Sequence, residues 1–224
     1  MNQTSVLQSD VAGRVAALRA QIAQVEGASP ADSAPPAPEV DVVELPGTLG
    51  RLLPGGGLAR RQVTELSDCP ALAADLVAKI SAAGGYVAVV GWVELSLAHV
   101  AEEGDLSKVV AVPDPGARPW DITCVLLEGM DLVIHHGAAN TLSPTKARPV
   151  MAKLRGGNAA LVTVGPHLPG TAVKVSGEVT TYRGIGRGTG RIKGIDIAVG
   201  VRTKSGQPQQ GTLTLGTTRR LELA

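Results

Sequence analysis

The stretch QVTELSDCPALAADLVAKISAAGGYVAVVGWV, residues 62–93, decides the fold class. Its first five residues contain a short β-branched run, and Pro70 then opens a helical stretch that we expect to reach residue 83. Residues 86–93 form a continuous apolar run, which is typical of a strand buried on both faces of a parallel sheet. A strand, a helix and a second buried strand in this order predict a βαβ unit.

The alternation of strands and helices continues beyond this unit. Predicted strands cover residues 108–112, 131–135 and 159–164, and predicted helices lie near residues 95–103, 120–129 and 143–155. This repeated pattern predicts an α/β fold with a mostly parallel central sheet and flanking helices.

The pattern changes after Pro169. Residues 172–182 and 191–203 alternate Val or Thr with polar residues, which predicts two strands of an antiparallel C-terminal extension. Short edge strands are predicted at 212–215 and 221–223. Between the two long strands stands GIGRGTG, residues 184–190, which we interpret as a mobile hairpin loop. Its glycines do not predict a dinucleotide site, because they lie between two strands and not between a strand and a helix.

The N-terminal part differs from the rest. Residues 1–27 predict an amphipathic helix whose apolar positions share one face: Leu7, Val11, Val15, Leu18 and Ile22. Residues 28–40 are an Ala/Pro/Ser linker, and residues 41–224 form the main domain. Two interpretations of the apolar stripe stay open. It docks onto another chain, either a partner or a second copy of this one, or it packs on its own domain.

Composition excludes several classes of protein. The chain has no Phe, two Trp and two Tyr, which argues against a single-strand site built on aromatic stacking. Cys69 and Cys124 give neither a disulfide framework nor zinc-ligand spacing. No run of apolar residues is long enough to span a membrane, and no secretory signal is apparent, so we expect a cytoplasmic protein. The net charge is only +1, but residues 171–224 carry nine Lys or Arg against three acids.

Three segments resemble the core of the RecA recombinase. LPGGGLARRQVTEL at 53–66 is similar to its glycine-rich turn and the strand that leads into the phosphate loop. KVVAVPDPG at 108–116 resembles the strand that ends in a Gln-Pro-Asp-Thr-Gly turn, and DLVIHH at 131–136 stands where RecA has its magnesium-binding strand. The similarity spans roughly residues 40–203 and implies a RecA-like fold. The cell-division inhibitor SulA is a more distant relative of this type.

A closer resemblance is to the actinobacterial ImuA-prime proteins, which are accessory factors of DNA-damage mutagenesis. It rests on LRAQIAQVEG at 18–27 and on LPGGGLARRQVTELSDCPAL at 53–72. The resemblance implies a partner, the inactive Y-family polymerase homologue ImuB, together with an error-prone C-family polymerase and RecA itself. It also implies a location at the nucleoid or the replication machinery.

The residues that a RecA-like nucleotide site requires are missing. A phosphate loop needs G-x-x-x-x-G-K-[ST], whereas residues 67–71 read SDCPA, with Asp68 where phosphate would sit and Pro70 without a backbone N–H. The strand at 131–136 ends in His135 and His136 and has no Asp to hold magnesium. Glu94 lies one position away from the place of the catalytic Glu. We therefore predict no catalytic residue, no cofactor and no enzyme activity.

Basic residues supply the best candidate contacts. The glycine-rich hairpin carries four of them: Arg183, Arg187, Arg191 and Lys193. They predict either contact with an acidic partner or DNA backbone, or an ordinary solvated hairpin. Arg60 and Arg61, adjacent in a turn, are interpreted as solvated.

Two further features are interpreted as structural. The His135–His136 pair has no further ligand at metal spacing, so no metal site is predicted. Cys69, at a predicted helix start, is interpreted as a small packing residue.

These observations favour a non-catalytic adaptor of error-prone translesion synthesis that acts by protein–protein contact. The alternative is a DNA-binding RecA-like module that uses the basic C-terminal hairpin.

Overall fold

The computed structural model describes residues 41–186, 188–204 and 206–216, with Thr189 described by its backbone alone. The predicted N-terminal helix, the linker and the predicted strand at 221–223 lie outside the described residues.

The domain begins with a small two-stranded sheet that the sequence did not predict. Strand β1 (Val42–Glu44) pairs antiparallel with β2 (Gly57–Ala59). Helix α1 (Thr48–Leu52) and a 3-10 turn at Pro54–Gly56 join them. A Cβ atom on Gly57 would lie 2.1 Å from the carbonyl oxygen of Val43, so this close pairing requires glycine. Strands of three residues are too short to give a periodic signal.

The predicted βαβ alternation is confirmed. The strands of the parallel part are β3 (Val63–Leu66), β4 (Val87–Val90), β5 (Val109–Val112), β6 (Leu132–His136) and β7 (Ala160–Val164). The helices are α2 (Pro70–Ala82), α3 (Ala98–Glu103), α4 (Pro119–Leu126) and α5 (Pro144–Gly156). Within the described part of the chain, no helix is long and apolar enough to cross a membrane.

Both faces of the sheet are covered, as buried parallel strands require. Helices α1, α2 and α3 pack on one face, where Leu72, Ile80 and Ile134 are fully buried. Helices α4 and α5 pack on the other face around Leu154 and Leu161. These cores are built almost entirely from Val, Leu, Ile and Ala, in agreement with the lack of Phe.

The C-terminal part is an antiparallel extension, as predicted. Strand β8 (Val173–Gly186) pairs in parallel with β3, and β9 (Thr189–Thr203) and β10 (Gln209–Gly216) follow in antiparallel order. Among the described residues the sheet order is β10-β9-β8-β3-β7-β6-β4-β5. The prediction of a loop at 184–190 is wrong. The strands continue into this stretch, since Ile185 pairs with Gly190 and Gly186 pairs with Thr189.

The turn between β2 and β3 corrects a second expectation. Arg60 is not solvated, because its side chain is only 18% exposed and donates to Asp131 Oδ1 at 3.0 Å and to the Asn158 carbonyl at 2.7 Å. Arg61 has a left-handed backbone and pairs with Asp41. The Arg60 side chain therefore fastens this turn to the residues just before β6 and β7, and the Arg61 N–H adds a bond to the Ala159 carbonyl at 2.8 Å.

Candidate functional site

The turn between β3 and α2 occupies the place where a RecA-like protein would have its phosphate loop. Two backbone bonds shape it: Ser67 N–H donates to the Val175 carbonyl at 2.9 Å, and Cys69 N–H donates to the Ser67 carbonyl at 2.7 Å. The Ser67 hydroxyl also accepts a hydrogen bond from the Gly177 N–H at 2.8 Å. The turn is therefore bonded to β8, although the side chains of Ser67 and Asp68 remain exposed.

Strand β8 also packs directly on the start of α2. A Cβ atom on Gly177 would lie 2.7 Å from Leu72 Cδ2 and 3.2 Å from Cys69 Sγ, so the strand and the helix touch without a gap. A bound phosphate would have to displace this contact. Cys69 is buried, and its burial raises the pKa of the thiol, which agrees with the packing role interpreted from the sequence. Asp68 is exposed beside it.

The end of β6 holds two stacked histidines. His135, 2% exposed, stacks on Trp120 with ring centroids 3.7 Å apart, and its Nδ1 lies 2.7 Å from the Thr123 hydroxyl. His136 stacks on Trp92 at 4.5 Å and bonds through Nδ1 to the Gly91 carbonyl. Both imidazoles are engaged in packing, as the structural interpretation predicted. Among the described residues, no group of three or more His, Cys, Asp or Glu could hold a metal ion.

His135 makes the stability of the domain depend on pH. Burial, followed by the charge of His136, lowers the pKa of His135 to about 4 from the ordinary value of 6.5. The folded state therefore favours neutral imidazole, and the stability gained above pH 6.5 is lost as the pH falls towards 4. We expect a loss of about 3 kcal/mol over that window. Urea unfolding at pH 7 and at pH 4 measures it. A His135→Phe variant should lose clearly less than the wild type, and parallel losses would contradict this assignment.

The basic hairpin is only partly as predicted. Arg183 is not a free contact residue, because Nη2 donates to the Leu215 carbonyl at 2.9 Å and Nε lies 3.5 Å from Asp196 Oδ1. Arg191 and Lys193 are exposed, and neither has an ion-pair partner among the described residues. Arg187 lies outside them. Two of the four candidate residues are therefore placed where they can meet an anion.

The same hairpin exposes apolar side chains that sequence reasoning missed. Among the described residues, the pairing of β10 with β9 reaches Gly194, and the ribbon tip, defined as residues 182–194, lies at and beyond that point. Tyr182, Ile185 and Ile192 are 56%, 60% and 52% exposed there. The sequence did contain a signal for this apolar surface, since Ile185 and Ile192 interrupt a glycine-rich stretch. The interpretation of residues 184–190 as a loop left it unused. Exposed aromatic and aliphatic side chains beside Arg and Lys are typical of a protein-binding surface.

Two further sets of candidate residues from the sequence remain to be placed, namely Glu94 and the N-terminal apolar stripe. Glu94 lies exposed in the turn after β4. The predicted partner-binding residues of the N-terminal stripe are outside the described residues: Leu7, Val11, Val15, Leu18 and Ile22.

Known proteins give a family for this chain. A model of the MT3502 N-terminal domain family matches residues 51–170. The chain is 32% identical over 167 residues to the uncharacterised protein Rv3395c of Mycobacterium tuberculosis, which covers 70% of this chain and 82% of that protein. Among solved structures, the CcbJ methyltransferase of Streptomyces caelestis is similar at 14% identity over 85% of this chain and 81% of that chain, with a TM-score of 0.25. No inference about fold or function follows from a similarity this low.

The chain is thus an α/β protein with a mostly parallel sheet and an antiparallel C-terminal extension. It belongs to the MT3502 N-terminal domain family, since the family model covers more than half of its 224 residues.

Proposed function

We propose that this chain is a non-catalytic, RecA-like adaptor of error-prone translesion synthesis that binds an inactive Y-family polymerase homologue. The observation that carries the non-catalytic part is the turn at Ser67, which is hydrogen-bonded to β8 while Gly177 of β8 packs against the start of α2. The resemblance to the ImuA-prime proteins at residues 18–27 and 53–72 supports the pathway and the partner. It also supports contact with RecA and an error-prone C-family polymerase, at the nucleoid or replication machinery.

The chemistry of phosphoryl transfer explains why the hydrogen-bonded turn matters. A phosphate loop holds its ligand with several free backbone N–H groups, a lysine and a hydroxyl that binds magnesium. Here the Cys69 and Ser67 amides donate to carbonyls, Pro70 has no N–H, and the Ser67 hydroxyl is taken by Gly177. Two amides and the hydroxyl of this turn are thus engaged within the domain, and the turn has no lysine.

The ribbon tip supplies a surface for a protein partner. Among the described residues the ribbon tip is two-stranded, and its exposed Tyr182, Ile185 and Ile192 would be stabilised by burial against another chain. Arg191 and Lys193 beside them favour an acidic rim on that partner. Together with the predicted N-terminal stripe, this gives the adaptor two candidate contacts.

A titration with Mg-ATP tests the non-catalytic part. Because two amides and the hydroxyl of the turn are engaged internally and the turn has no lysine, we expect no heat of binding, which places the Kd above about 1 mM and the binding free energy below about 4 kcal/mol. Isothermal calorimetry on the full chain measures this. A Kd in the micromolar range would show that the turn at Ser67 opens to nucleotide and would overturn the proposal.

A further inference from the structure

Two adjoining cavities form an open groove where β8 begins and β9 ends. Their volumes are about 340 and 390 Å³, and they share Gly170, Ala172, Thr203 and Lys204, so they open onto each other. This groove lies at the end of β3 opposite to the turn at Ser67, because Thr64 pairs with Val173, and Val173 pairs with Thr203. It is also distinct from the ribbon tip at the far end of the same hairpin.

The groove carries an excess of positive charge. Lys174 and Arg202 stand directly opposite each other on β8 and β9, and like charges in that position destabilise a sheet. Lys204 lines the same cavity, and Arg61, whose charge is paired with Asp41, lines the adjoining one. Cations gathered in one groove in this way point to a bound anion.

The nearby carboxylate pairs with Lys174 and leaves Arg202 and Lys204 without a counter-charge in the described part of the chain. Glu65 is largely buried, and it accepts from Lys174 Nζ at 2.9 Å and from the Thr171 hydroxyl at 2.9 Å while also pairing with His167. Its oxygens are therefore occupied. Arg202 and Lys204 have no carboxylate partner within 4.0 Å among the described residues, so both remain available to an anion.

The shape and lining of the groove select the kind of anion. A site for a single phosphate ion usually surrounds it with backbone N–H groups, whereas this groove is long, open and lined by separated side-chain cations. Arg binds phosphate oxygens through two N–H groups and Lys binds as a point charge. The described lining residues include no Phe, Tyr or Trp on which bases could stack.

We propose that this groove binds the phosphodiester backbone of a nucleic acid, with Arg202 and Lys204 as phosphate contacts and Lys174 beside them. Binding is independent of base sequence and depends strongly on salt, since it rests on charge alone. This inference does not rest on the adaptor function, and it places nucleic acid at the base of the C-terminal hairpin and not at its tip.

The test measures the salt dependence of binding to a fluorescein-labelled 30-base-pair duplex of arbitrary sequence by anisotropy. We compare the full-length wild type with three double variants that each remove two positive charges: R202Q/K204Q in the groove, R191Q/K193Q at the ribbon tip, and K146Q/R148Q on the exposed face of α5. The groove variant is expected to bind about tenfold or more weakly at 50 mM salt, and its log–log salt slope is expected to fall by about 2. The K146Q/R148Q variant should match the wild type.

Folding of the groove variant is checked separately. Because R202Q removes one member of a like-charge pair, its melting temperature should not fall. Lys204 is exposed directly after β9. The single Lys204→Gln variant should change the log–log salt slope by about half as much as the double variant does.

Several results would overturn the inference. They are no duplex binding by the wild type, a loss confined to R191Q/K193Q, or equal losses in all three double variants. Competition by inorganic phosphate, compared with chloride at equal ionic strength, distinguishes a site for free phosphate from a site for the nucleic-acid backbone. Displacement of the duplex by millimolar phosphate would mark a site for single ions and would also overturn the proposal. Binding to the polymerase homologue should be unchanged in R202Q/K204Q.

Discussion

Replacing Gly57 by alanine is expected to lower the free energy of unfolding by about 3 kcal/mol or more. The new Cβ would lie 2.1 Å from the Val43 carbonyl oxygen and 2.8 Å from its carbon, and both are backbone atoms that no rotamer change can move. Strands β1 and β2 would have to separate, which exposes Leu58 and the side chains packed on it. Equilibrium urea unfolding measures the change.

The matched control is Gly56→Ala in the same LPGGG motif. A Cβ atom there meets nothing within 4 Å, and the only penalty is the left-handed backbone, with φ of +83°. That penalty is about 1–2 kcal/mol for an alanine. Equal stabilities of the two variants would contradict this explanation. They would mean that the close approach of β1 to β2 does not require glycine at position 57.

The double substitution Val15→Asp and Leu18→Asp is expected to weaken association with the polymerase homologue by more than 100-fold. Both residues belong to the apolar stripe that the sequence predicts for residues 1–27. Burial of one such side chain contributes roughly 1.5–3 kcal/mol, so losing two of them at an interface removes about 3–6 kcal/mol. The melting temperature should stay the same if the stripe docks onto another chain. Calorimetry measures association with the homologue, light scattering measures self-association, and thermal unfolding of the same preparation gives the melting temperature.

The control for this substitution is Ala20→Asp with Gln24→Asp. These positions add the same charge to the same segment but lie on the side of the predicted helix away from Val15 and Leu18. Association should be retained in this control. A lower melting temperature in the Val15/Leu18 variant, with binding that follows only its folded fraction, would instead mean that the stripe packs on its own domain.

Local sequence patterns were sufficient for most of the fold. The apolar run at 86–93 and the Pro70 helix start predicted β4 and α2 to within a few residues, since buried parallel strands and capped helices have strong local signals. The glycines at 184–190 misled the prediction, because glycine is common both in loops and in strands with tight cross-strand contacts. Gly184, for example, has a positive φ and would meet the Arg191 carbonyl oxygen at 2.7 Å if it had a Cβ.

The candidate sites depended on contacts between distant parts of the chain. Sequence showed that the phosphate-loop lysine is missing, but not that Gly177 bonds to Ser67 across 110 positions. Likewise, Lys174 and Arg202 look unrelated until β8 and β9 pair in register. Tertiary pairing of this kind has no local signature, so a single sequence did not reveal the basic groove.

The most direct test of the adaptor account is a calorimetric titration of the full chain with the purified inactive Y-family polymerase homologue, with and without Mg-ATP. The account predicts saturable binding with the same Kd in both conditions, because the partner contacts the ribbon tip and the N-terminal stripe while the turn at Ser67 stays bonded to β8. The absence of binding, or a Kd that changes when Mg-ATP is added, would contradict it.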